Sequence, residues 1–125
     1  MGEKKRNMLT GEEKEIMLNG RTERPFSGEY NDFNQKGIYV CKLCDVQLFT
    51  STSKFNANCG WPSFDDAITG SIIKKRDVSL GRIRTEILCA NCKGHLGHVF
   101  EGENYTEKNT RYCVNSLSLK FIARL

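Results

Sequence analysis

The sequence predicts a small, mainly β protein made of antiparallel sheets, with few helices and a short helical N-terminus. Three observations carry this. From residue 37 onward, six short runs of β-branched and aromatic residues follow one another in rough alternation, punctuated by Asp, Gly and Asn. Helix signals are confined to one segment near residue 10. Two Cys-x2-Cys pairs, at 41/44 and 89/92, stand at metal-ligand spacing and predict a staple between distant parts of the chain.

The elements follow in order. Residues 1–9 read as a flexible tail, and 10–125 as one domain, which a chain of 125 residues suits. The N-terminus MGEKKRN is charged and lacks an apolar h-region, so no signal peptide is expected. Arg6 stands where N-myristoylation needs Ser or Thr. A helix begins at Thr10, because Thr10 and Glu13 have capping-box spacing, and Gly20 is placed to end it. Ile16, Met17 and Leu18 supply its apolar face. The stretch RPFSGEY, 24–30, is an extended loop, since Pro25 biases Arg24 away from helix. The strands are GIYVC (37–41), VQLFT (46–50), AITGSIIKKRD (67–77), SLGRIRTEILC (79–89), HVFEG (98–102) and RYCVNSLSLKFIARL (111–125). Ser79-Leu80-Gly81 marks a turn between two of them.

Apolar residues make up 38% of the chain and charged residues 27%, as in an ordinary globule. The net charge of +4 is scattered, in Lys4, Lys5 and Arg6 and in Lys74, Lys75 and Arg76, and makes no stripe for nucleic acid. No apolar run nears the ~20 residues that span a bilayer. A cytoplasmic monomer without membrane or nucleic-acid partners is the expectation.

Cys-x2-Cys lets two thiolates point at one ion from a tight turn. Two such turns make a tetrahedral S4 site, which suits zinc and leaves no open coordination position. Cys41, Cys44, Cys89 and Cys92 are therefore expected to hold one structural Zn2+. Two disulfides would need an oxidising compartment. A thioredoxin-like redox pair would need a βαβ context and a single copy. Structural zinc adds directly to folding free energy, which helps a domain this small.

Cys59 and Cys113 remain. A lone cysteine is most often an inert buried thiol, but the neighbours here argue otherwise. Cys59 lies in NCGWPSF, where Gly60 and Pro62 bend the chain around Trp61, the only tryptophan. That Trp is either core or the wall of an apolar pocket. Cys113 follows Arg111, whose fixed charge favours a thiolate. On a strand, Arg111, Cys113 and Asn115 alternate onto one face. The two histidines, His95 and His98 in GHLGHVF, read either as surface or capping residues or as proton donors near a thiolate.

In order and spacing, TERPFSGEY, the two Cys-x2-Cys pairs, SKFNANCGWPSF, GHLGHVF and RYCVNSLSL resemble the methionine-R-sulfoxide reductases of the B type, the SelR domain family, over residues 10 to 121. The resemblance implies two twisted antiparallel sheets with a small helical N-terminus. It implies reduction of the R epimer of protein-bound methionine sulfoxide. Cys113 matches the nucleophile, and Cys59 matches the resolving cysteine of a disulfide recycled by thioredoxin. His95, His98 and Asn115 match residues that position and protonate the sulfoxide. Trp61 and Phe100 match the pocket for the substrate methyl, Arg111 supports the thiolate, and the four paired cysteines match the zinc ligands. Gly94 stands where many relatives have Ala, and EGENYTEKNT lacks the Gly-Pro pair that often follows GHLGHVF. The rival class is a zinc-ribbon or β-fold binding module, which leaves Cys59, Cys113 and both histidines unexplained.

Overall fold

A computed structural model describes residues 6–124. Its helix α1, Gly11–Met17, is capped as the sequence requires. The Thr10 hydroxyl accepts from the Glu13 N–H at 3.2 Å, and the Glu13 carboxylate accepts from the Thr10 N–H at 2.9 Å. Ile16 and Met17 are buried, but Leu18 is 55% exposed, so the apolar face is one residue narrower than expected. Gly20 follows at φ 72°, and its N–H bonds Ile16 O at 3.1 Å to close the helix end. The expected tail is tied down from Asn7, whose side chain donates to Lys42 O at 2.9 Å. Residues 1–5 lie outside the described residues.

Two antiparallel sheets follow. The smaller has β1 (Gly37–Cys41) between β2 (Gln47–Thr50) and β9 (Leu119–Ala123). The larger adds β3 (Lys54–Phe55), β4 (Ser63–Phe64), β5 (Ile72–Asp77), β6 (Arg84–Cys89), β7 (His95–Glu101) and β8 (Thr110–Val114), in the order β3-β4-β8-β7-β6-β5. The long C-terminal run is not one strand. A 3-10 turn at Ser116–Ser118 breaks it, and the chain passes from the larger sheet into the smaller. The two-residue strands β3 and β4 carry too few residues to show a period, and β7 starts at His95, earlier than expected.

The core lies between the sheets. Tyr39, Leu48, Phe49, Phe64, Ile87, Leu96, Val114 and Leu119 are fully buried. Phe49 stacks on Phe64 at 4.3 Å, and Tyr39 meets Phe64 edge-on at 5.1 Å. Each large apolar side chain so buried contributes about 1.5–3 kcal/mol. No helix among the described residues is long and apolar enough to cross a membrane.

Candidate active site

The larger sheet's register builds the site. Ser63 pairs with Cys113, Cys113 with His98, His98 with Glu86, and Glu86 with Lys75, one row across five strands. Directly opposed residues share a face with their Cβ atoms ~5 Å apart. Phe100 opposes Arg111 on that face, two residues along. A cleft of about 210 Å3 opens above it. Cys59, Trp61, His98, Phe100, Arg111, Cys113 and Asn115 line the cleft, as do Arg82 and Arg84, which sequence reasoning missed. His95 is buried beside His98, ring centroids 5.6 Å apart, and does not line the cleft.

Cys59 is brought in by a strained loop. Asn58 has φ 53° and Gly60 φ 101°, and a Cβ on Gly60 would meet Pro25 Cβ at 2.6 Å. Only glycine fits that approach. Both cleft cysteines are free, both line the cleft, and each shifts the other's pKa. The hydrogen bond from the Cys113 thiol pulls the Cys59 thiol down to about 5, with help from Ser63, the Trp61 backbone and the Arg111 charge. The same contact, with burial, pushes Cys113 up. Arg111 favours charge on both sulfurs, and its Nη1 donates directly to Cys59 Sγ at 3.3 Å. Arg111 is fixed by two hydrogen bonds to Glu103, 2.8 and 3.2 Å, and packs over the Phe100 ring at 4.6 Å.

Each histidine is held by a carboxylate from the β5–β6 hairpin. His98 Nε2 lies 2.7 Å from Asp77 Oδ2, and His95 Nδ1 lies 2.6 Å from Glu86 Oε2. The bond from His98 holds the Asp77 carboxyl well below its usual range, so Asp77 is an anion that only accepts and His98 Nε2 carries the proton. Burial pushes the His98 pKa down, so at neutral pH it is a neutral N–H donor. The second ring nitrogen of His95 is buried and has no hydrogen-bond partner among the described residues. Asp77 and Glu86 stand in strand segments that read as solvated charge, which is why the sequence did not single them out.

Asn115 is a clamp. Its Oδ1 accepts from the Glu23 N–H at 3.0 Å, and its Nδ2 donates to Leu96 O at 3.0 Å. The buried Glu23 carboxylate accepts from the Ser116 and Leu117 N–H groups at 2.9 and 3.0 Å, and its backbone carbonyl accepts from Trp61 Nε1 at 3.0 Å. One residue thus ties the Trp61 wall to the turn after Cys113. Glu23 lies in the TERPFSGEY motif, the one sequence signal that marked it.

A second sulfur site lies at the seam of the sheets. Cys41 closes β1 and Cys89 closes β6, and each is followed by the same tight turn. Asp45 N bonds Cys41 O at 2.9 Å and Lys93 N bonds Cys89 O at 2.8 Å, with Asp45 and Lys93 both at φ 66°. The four buried Sγ atoms lie within 4.8 Å of one another, with Cys41–Cys92 at 3.5 Å and Cys44–Cys89 at 3.6 Å. A tetrahedral zinc–thiolate site needs S···S edges of about 3.8 Å. The cluster fits such an ion.

The molecule is a small β protein in which a buried four-sulfur cluster stands apart from an open cleft that holds two more cysteines. Comparison with known proteins makes the assignment specific: residues 9–123 match the SelR domain model, and the chain belongs to that family. It is 50% identical over 117 residues to peptide methionine sulfoxide reductase B3 of Arabidopsis thaliana, covering 93% of this chain and 65% of that protein. It is 50% identical over 104 residues to peptide methionine sulfoxide reductase MsrB of Pseudomonas savastanoi pv. phaseolicola, covering 82% of this chain and 79% of the other. The MsrB of Teredinibacter turnerae is 49% identical over 118 residues, 93% of this chain and 86% of its own.

Proposed function

We propose that the protein reduces the R epimer of methionine sulfoxide, chiefly in peptides and proteins, with Cys113 as nucleophile and Cys59 as resolving thiol. The observation that carries the reading is the convergence of these two thiols on one cleft lined by His98 and Trp61, in a chain of the SelR family.

Cys113 passes its proton along the hydrogen bond to the Cys59 thiolate and attacks the sulfoxide sulfur. The departing sulfoxide oxygen takes up one proton, which His98 delivers in the imidazolium form it reaches by protonation from solvent, its Nε2–H staying on Asp77, and His95 behind it supports that ring. Trp61 and Phe100 hold the S-methyl and fix which face of sulfur meets the thiolate. The oxygen ends on Cys113: thiol plus sulfoxide become sulfenic acid plus methionine. The Cys59 thiol then condenses with that sulfenic acid, and a disulfide forms with loss of water. A thioredoxin dithiol reduces the disulfide and is itself oxidised. Cys41, Cys44, Cys89 and Cys92 would hold Zn2+, which supplies a cross-link and no step of the reaction. Six free thiols suit a reducing compartment such as the cytoplasm.

The lower pKa of Cys59 favours a second reading, in which Cys59 attacks first. Turnover of separated R and S epimers of a blocked methionine sulfoxide, with dithiothreitol and then thioredoxin, tests both. We expect R-only turnover with either reductant. Cys113→Ser should abolish it, while Cys59→Ser should keep one turnover and lose thioredoxin cycling. The reverse pattern would exchange the roles. No reduction of either epimer by metal-loaded protein would leave a binding module.

A further inference from the structure

The cleft carries three arginines, and they differ in how they are satisfied. Arg111 is fully engaged by Glu103. Arg84 is not. Its Nη2 reaches Asp77 only at 3.5 Å, that carboxylate is already taken by His98 at 2.7 Å, and its Nε is buried with no hydrogen-bond partner among the described residues. Arg82 is exposed at the cleft edge, and among the described residues no carboxylate pairs with its guanidinium. A buried unmet donor costs about 1–3 kcal/mol, so a guanidinium with an unmet Nε and one long contact, lining a ligand cleft, marks where an acceptor belongs. A planar guanidinium takes a carboxylate in two parallel hydrogen bonds.

We propose that Arg84 and Arg82 form an anion subsite beside the cleft and take a substrate carboxylate next to the methionine sulfoxide. The inference rests on the reading of the cleft as a methionine sulfoxide site and deepens it. The carboxylate has two sources, the α-carboxylate of a C-terminal methionine sulfoxide and the side chain of a neighbouring Asp or Glu. The hairpin that carries both arginines also carries Asp77 and Glu86, which hold the histidines, so the subsite and the proton donor share one support.

The test is a ratio. The kcat/KM for N-acetyl-methionine-R-sulfoxide is divided by that for its amide, and likewise for a pentapeptide with Glu beside the sulfoxide against one with Gln. In parallel, Trp61 fluorescence is titrated with N-acetylmethionine and its amide, which bind without turnover. Wild type should favour the acid about three- to tenfold in one arm or both, less at raised salt. The arm that responds identifies the source. Arg82→Gln and Arg84→Gln should each bring that ratio towards one, and Arg84→Lys should restore part of it. Arg82 makes no contact with His98, so its variant reads the subsite with the proton donor intact. Equal rates for acid and amide in wild type, or ratios unchanged in both Gln variants, would overturn the subsite. Acid-selective quenching without turnover would uphold the subsite and sink the reductase reading. Turnover without acid selectivity would do the opposite.

Discussion

At the scale of residues, the charge in the cleft belongs to a pair of sulfurs. Cys113 and the Arg111 Nη1, 3.3 Å away, both draw the Cys59 thiol pKa down. Alkylation of reduced protein by iodoacetamide, followed by mass spectrometry, should therefore label Cys59 with a rate that rises through about pH 5. A rate that begins to rise only near the ordinary thiol range would contradict the shared charge. Glu23 makes the contrasting case. Burial pushes its carboxyl pKa up, against the two backbone N–H groups it accepts from. The unfolded chain loses that proton first, so the charged form costs stability as pH rises from about 4.5 to the folded value, and the cost is constant above it. Glu23→Gln keeps the volume and loses an acceptor, which should cost about 1–3 kcal/mol. Denaturant unfolding should show wild type's margin over Glu23→Gln largest at low pH and smaller at neutral pH. A margin that grows with pH would mean the carboxylate is better solvated than its burial implies.

At the scale of elements, the site depends on how closely β7 and β8 approach. A Cβ on Gly97 would lie 1.9 Å from the Cys113 carbonyl oxygen, which is backbone and cannot swing aside. Gly97→Ala must part the strands that set His98 beside Cys113. Overpacking of this kind costs about 1–3 kcal/mol, so Tm should fall by roughly 4–12 °C, with activity lost in the protein that still folds. Unchanged Tm and turnover would show that the strands have room to spare. The 3-10 turn at Ser116–Ser118 matters in the same way. It stops β8 at Val114, so Asn115 leaves the strand and reaches Leu96 and Glu23.

At the scale of the whole molecule, the two cysteine turns join the sheets. Cys41 and Cys44 extend from the smaller sheet and Cys89 and Cys92 from the larger, so an ion held by all four bridges the layers. Removing a ligand should release both metal and structure. Cys44→Ser should lose its zinc by metal analysis and unfold at markedly lower denaturant than wild type. A folded, metal-replete Cys44→Ser protein would show that three thiolates suffice. The cleft lies elsewhere in the larger sheet, so metal loss should reach it only through folding.

Sequence alone determined the features that depend on near neighbours. The Thr10–Glu13 cap, the two Cys-x2-Cys turns and the central strands β1, β6 and β7 are written in residues three to six apart, where local geometry decides. Of the residues the motifs singled out, Cys59, Trp61, His98, Phe100, Arg111, Cys113 and Asn115 line one cleft, while His95 lies behind it. Only the tertiary structure decided what pairs with what. Asp77 meets His98 across 21 residues, Glu23 meets Asn115 across 92, and Arg111 meets Cys59 across 52. No local pattern encodes such partners. The lowered pKa of Cys59, the identity of the histidine clamps and the unmet Nε of Arg84 all follow from long-range packing and burial, since desolvation and Coulomb attraction act on whatever the fold brings within a few ångströms.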